Sequence, residues 1–170
     1  MDAASLLVDA YGRIPGIVTA AVDGLSHDEL LGAPAEGANP IGWLAWHIAR
    51  VEDHQTSPLF GLEQLWVLED VGPRFGLASD PSNLGYGHGP AEVAAVRAES
   101  TDALLGYLDA VSGRLTGQLA SIDPAELDRV VDEHWDPPVT MGVRLVSVLA
   151  DCLEHAGQAA YLRGLLLRAA

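Results

Sequence analysis

Apolar residues recur along this chain at the three- and four-residue spacing of an α-helix in four long stretches, and no segment shows the alternation of a half-buried strand. The first stretch runs from about Ala4 to Gly24 through Leu6, Leu7, Ala10, Ile14, Ile17, Val18 and Ala21, with Pro15 predicting a kink or break. Ser26-His27-Asp28-Glu29 then has the form of a capping box opening a short helical turn. The second helix is expected to start with Asn39 as its cap and Pro40 at its first position, to carry Trp43, Leu44, His47, Ile48 and Val51 on one face, and to end near Ser57-Pro58. A short helix is expected between Leu59 and Val67, and loop from Gly72 to Gly89. The third long helix is predicted from Pro90 to about Ala120. The fourth is capped by Thr140 and runs to about Arg168. Four such helices joined by uneven connections predict an all-α antiparallel four-helix bundle, one domain over residues 1–170, with short extra helices in the connections.

Charge removes several function classes. The chain carries 24 acidic residues against nine basic ones, all arginine, for a net charge of −15. No basic stripe is available to track a nucleic-acid backbone, and an anionic membrane surface would repel the chain. Without lysine there is no lysine Schiff base, which sets aside aldolase-type and pyridoxal chemistry. The single cysteine, Cys152, permits neither an internal disulfide nor a cysteine-based metal cluster, and it reads as a packing residue. Met1-Asp2-Ala3-Ala4-Ser5 lacks the basic start of a secretory signal, and charged residues interrupt every long apolar run. A cytoplasmic protein that binds neither nucleic acid nor membrane is expected.

Bundles build their sites from polar groups turned inward, so imidazoles and carboxylates on apolar faces are the candidates. Asp151 and His155 stand four residues apart and stack on one face of the last helix. His47 lies between Trp43 and Val51 on the inner face of the second. Together they would make an O,N,N set with open coordination positions, the form of a catalytic site rather than a closed structural one. An intrahelical Asp151–His155 ion pair and a hydrogen-bonded core His47 are the plainer readings of the same residues. His54 shares a side with His47, but seven residues give about 10.5 Å of helical rise, which makes it a rim residue. Asp53 points to another face; His27, His88 and His134 fall in turns and are expected in solvent. Arg144, two turns before Asp151, is a candidate for binding a substrate anion or else a solvated arginine near a helix start. Trp43 and Trp135 are candidates for the rim of a pocket. Of the many acids, Asp151 is the one expected to face inward.

The stretch Asn39-Pro40-Ile41-Gly42-Trp43-Leu44-Ala45-Trp46-His47 and its continuation to Asp53 resemble the second-helix signature of the DinB-like superfamily. His155-Ala156-Gly157-Gln158-Ala159-Ala160-Tyr161-Leu162-Arg163-Gly164 resembles its last-helix signature, and the likeness spans the chain. The branch most resembled is the actinobacterial mycothiol-transferase group, which suits a lysine-free, GC-rich composition. The resemblance implies one divalent metal, zinc before nickel or iron, held by His47, Asp151 and His155. Asp151 stands where the common pattern has histidine, although the similar mycothiol-dependent maleylpyruvate isomerases have a carboxylate there. It also implies transfer of a low-molecular-weight thiol to a small electrophile, in a homodimer whose interface the aromatic-rich second helix could supply. The rival readings are a non-catalytic dimeric metal- or ligand-binding bundle and a metal-dependent hydrolase or isomerase using the same ligands.

Overall fold

The computed structural model describes residues 1–35 and 37–169. The bundle is built from a broken first helix, α1 (Ala3–Gly12) and α2 (Ile14–Val22), with α4 (Ile41–Thr56), α7 (Thr101–Leu119) and α8 (Met141–Ala169). Short helices α3 (His27–Leu31), α5 (Leu65–Leu68) and α6 (Pro90–Ala95) lie in the connections. The expected all-α bundle is therefore present. α4 packs on both α7 and α8, α2 on the same two helices, and α1 on α7.

Local chemistry accounts for most boundaries. Asp2 caps α1 by accepting from the Ser5 N–H at 2.8 Å. The first helix breaks at Arg13, because Pro15 has no N–H to give the carbonyl of Tyr11. Ser26 and Glu29 form the capping box of α3, and Thr140 Oγ1 accepts from Val143 N–H at the start of α8. Asn39 does not cap α4. Pro40 takes that position in an extended conformation, and its carbonyl accepts the first helical bond from Leu44 N–H.

Three expectations are corrected. The helix predicted from Leu59 to Val67 is a 3-10 turn over Ser57–Phe60 and the separate α5, divided by Gly61 at a φ of 66° that only glycine adopts readily. The helix predicted from Pro90 to Ala120 is interrupted between α6 and α7. There Arg97 N–H donates to Phe75 O and Glu99 N–H to Arg74 O, an extended pairing that buries Val96 and Ala98, and Ser100 caps the restart. Two short strands, β1 (Val130–Asp132) and β2 (Val139–Thr140), pair antiparallel ahead of α8. At three and two residues they are too short to show alternation.

α4 is the axis of the molecule. Every residue from Ile41 to Asp53 is buried, so this helix has no free face with which to make the interface suggested for it. Its charged residues Arg50, Glu52 and Asp53 are enclosed with the rest, and Asp151 is not the only inward acid. Asp53 is matched by five donors: Ser57 Oγ, Leu65 N–H, Trp66 N–H, the Tyr107 hydroxyl and Arg114. Arg50 donates to Asn83 O, Tyr107 Oη, Gln64 Oε1 and Pro81 O, with its guanidinium over the Trp66 ring. Tyr11 ties the first helix to the last, its hydroxyl donating to Leu145 O at 2.7 Å.

Glu52 is different. Ser112 Oγ donates to its Oε2, but Oε1 is buried without a partner. Burial pushes this carboxyl up to about 8, the Ser112 hydrogen bond opposing and the Asp53 charge adding to the rise. The native chain then keeps a proton that the unfolded chain loses near the ordinary glutamate value. Stability should fall as pH rises from about 4.5 to about 8 and level off above. A Glu52→Gln variant should lose less stability between pH 5 and pH 8 than the parent, by about 2 °C or more in Tm by thermal circular dichroism.

Candidate metal centre

Helical periodicity brings His47, Asp151 and His155 together at the α4–α8 contact. One ligating atom from each lies within 4.8 Å of the others. His47 Nε2 is 3.7 Å from Asp151 Oδ2, and His155 Nε2 is 3.6 Å from Asp151 Oδ1. These separations exceed a hydrogen bond of about 2.7–3.2 Å and suit groups that surround an ion.

Each imidazole is held through its other nitrogen. The Leu84 carbonyl can only accept, so His47 Nδ1 carries the hydrogen in their 2.6 Å contact and Nε2 presents its lone pair. His155 Nδ1 donates to Gln158 Oε1 at 3.0 Å, which likewise leaves Nε2 free. Burial lowers the proton affinity of His47, opposed by the Leu84 contact and the Asp151 charge, and this favours the neutral form that a metal requires. Asp151 Oδ2 is buried with no hydrogen-bond partner. A carboxylate with an unpartnered oxygen, facing one free imidazole nitrogen from each of its two oxygens, is a cluster able to hold a metal ion, and the donor set suits a borderline divalent cation.

Several parts of this arrangement have no signal in local spacing. Trp43 stacks on His47 with ring centroids 4.6 Å apart, so it backs the ligand instead of rimming a pocket. His88 is not in solvent: it accepts from Trp43 Nε1, contacts Asn83 through Nε2 and stacks on Trp46. Gly85, at φ 94°, lies so close that a Cβ would sit 2.8 Å from His47 Nδ1 and 2.9 Å from the Trp46 ring. A glycine inside a turn-rich run, next to a helix carrying two tryptophans and a histidine, is the nearest thing to a sequence clue.

The remaining candidates separate cleanly. His54 is half-buried on α4 and does not join the cluster; His27 and His134 are exposed. Cys152 is buried and its thiol is pushed well up by burial, as suits packing. A cleft of about 580 Å³ opens beside His47 and Asp151, with Trp135 and Arg144 among its walls. Arg144 is not free there: it donates to Asp132 at 2.9 Å and to Gln55.

A helical bundle with an open His–Asp–His cluster at a cleft defines a class of protein able to bind a metal ion. Residues 11–159 match the family model of the DinB superfamily, and the chain belongs to that superfamily. It is also similar to a conserved protein of Enterococcus faecalis known from its crystal structure, at 31% identity over 98% of each chain and a TM-score of 0.90. No match was found among curated proteins. No helix among the described residues is long and apolar enough to cross a membrane.

Gly85→Ala should force the Leu84 carbonyl off His47, costing about 1–3 kcal/mol of stability at a left-handed, sterically closed position. It should weaken divalent-metal binding by about 10–100-fold, measured by competition with a chromogenic chelator.

Proposed function

We propose that this protein is a divalent-metal-dependent enzyme that activates a low-molecular-weight thiol, of the mycothiol kind, for transfer to a small electrophile. The observation that carries the reading is the Asp151 carboxylate at an open cleft, its unpartnered Oδ2 facing the free Nε2 of His47 and its Oδ1 facing that of His155. Zinc fits two imidazoles and one carboxylate with positions left open. A divalent ion bound there would acidify a thiol and hold the thiolate beside its target.

The chain's own residues supply the rest. Leu84 O and Gln158 fix the imidazoles in the metal-binding tautomer, and Trp43 shields one face of His47 from water. The cleft leaves room for an acceptor beside the thiol. In such a transfer the thiol proton leaves to solvent and a sulfur lone pair forms the S–C bond. The leaving group departs with its electron pair or, at an activated alkene, the neighbouring carbon takes up a proton. The buried single cysteine and the strong negative charge suit a cytoplasmic setting. The exposed apolar residues Val146, Leu153 and Tyr161 on α8 support a homodimer built on that helix rather than on α4.

Metal analysis of protein purified without a histidine tag should find close to one equivalent of zinc, nickel or iron. His155→Ala should lower metal affinity by at least about tenfold, and His54→Ala should not. Turnover of a generic electrophile should require both added thiol and metal. Less than about a tenth of an equivalent, with no rescue by added zinc or nickel, would overturn the proposal. Metal-dependent turnover without thiol would favour the hydrolase reading.

A further inference from the structure

We infer that the cleft beside His47 and Asp151 selects an uncharged, flat apolar acceptor and turns anionic ones away. This inference rests on the transferase reading of the site, and it concerns the substrate's chemical class. Much of the wall is apolar, from Val51, Val139, Val143 and Val148, and two exposed aromatic side chains, Tyr86 and Trp135, also line the cleft. Tyr86 is 90% exposed and Trp135 66% exposed, so neither ring is held there by packing into the core. Large aromatic surfaces left in water beside a cleft are what a flat apolar ligand would cover.

Charge completes the selection. Among the described residues Arg144 is the one arginine lining the cleft, and its guanidinium is taken by Asp132 and Gln55. Asp132 is kept ionised by the hydrogen bonds that His134 gives it, through the backbone N–H and the ring, which hold its carboxyl below the usual range. The two charges therefore cancel within the wall. At the other end, the negative charge of Asp151 and that of one thiolate together match a divalent ion. No net charge remains to receive an anionic group on the acceptor. The molecule's net charge of −15 adds a long-range field that lowers the local concentration of anions at low salt.

The test uses 2-naphthol and 2-naphthoate, which share two fused rings and differ in charge at pH 7. Binding is measured by titration calorimetry on chelator-treated parent protein and on metal-free Asp151→Asn, which lacks the cluster's own negative charge. The neutral ligand should bind roughly tenfold tighter to both. On either background Trp135→Ala should weaken 2-naphthol by roughly fivefold. Asp132→Asn, which releases Arg144, should bring 2-naphthoate to within about twofold of 2-naphthol. Equal or tighter binding of 2-naphthoate to the Asp151→Asn protein, no binding of 2-naphthol, or an unchanged affinity in Trp135→Ala would overturn the inference. Metal content of the parent protein is a separate readout. Protein that takes up no metal yet keeps the neutral preference would retain the cleft's selectivity and lose the transferase reading.

Discussion

The Arg50 guanidinium is the contact on which the geometry of this molecule turns. It sits fully enclosed on the central helix and donates to four oxygens belonging to three different segments. A buried cation without such partners would be costly enough to unfold a domain of this size. Its acceptors are therefore conditions of folding, and two of them, Pro81 O and Asn83 O, belong to the loop that carries Leu84. The Leu84 carbonyl in turn fixes the tautomer of His47. One helical turn, from His47 to Arg50, thus contains both the candidate ligand and the device that brings its orienting partner into place.

Asp53 repeats the arrangement three residues further on. Its carboxylate gathers the backbone of Leu65 and Trp66, Tyr107 and Arg114, so the chain between α4 and α6 is wrapped onto the bundle by two opposite charges of one helix. This explains how a helix with so many charged residues can be the innermost element. Arg50 and Asp53 are met by backbone and side-chain groups of the segments folded around them. It also explains why the cluster has a rigid rear wall, formed by Trp43 and by Gly85 pressed against the ring of His47, and an open front.

Periodicity was enough to place His47, Asp151 and His155 on facing stripes, because each depends only on the turn of its own helix. What it could not reach were features set by chain segments far apart in sequence. The break before Thr101 depends on carbonyls at Arg74 and Phe75, and nothing in residues 96–100 themselves forbids a continued helix. His88 reads as a loop histidine until Trp43 and Trp46 close over it. Arg144 reads as an anion-binding residue until the β1–β2 hairpin, two strands too short to announce themselves, delivers Asp132. Asp53 reads as pointing to another face, yet it is enclosed with Arg50, because a helical wheel shows where a residue points and not what has folded over it.

Among the described residues two carboxylates, those of Glu52 and Asp151, have a buried oxygen without a hydrogen-bond partner, and their contrast separates a site from a burden. Glu52 Oε1 is sealed among α1, α4, α7 and α8, where burial favours the protonated acid. Asp151 is partly open to the cleft, and the atoms facing its oxygens are two imidazole nitrogens that have already placed their hydrogens elsewhere. Among the described residues no donor is arranged for its Oδ2. Access and the ligands' prior commitments, rather than burial alone, make Asp151 the carboxylate at which a larger cation can be held.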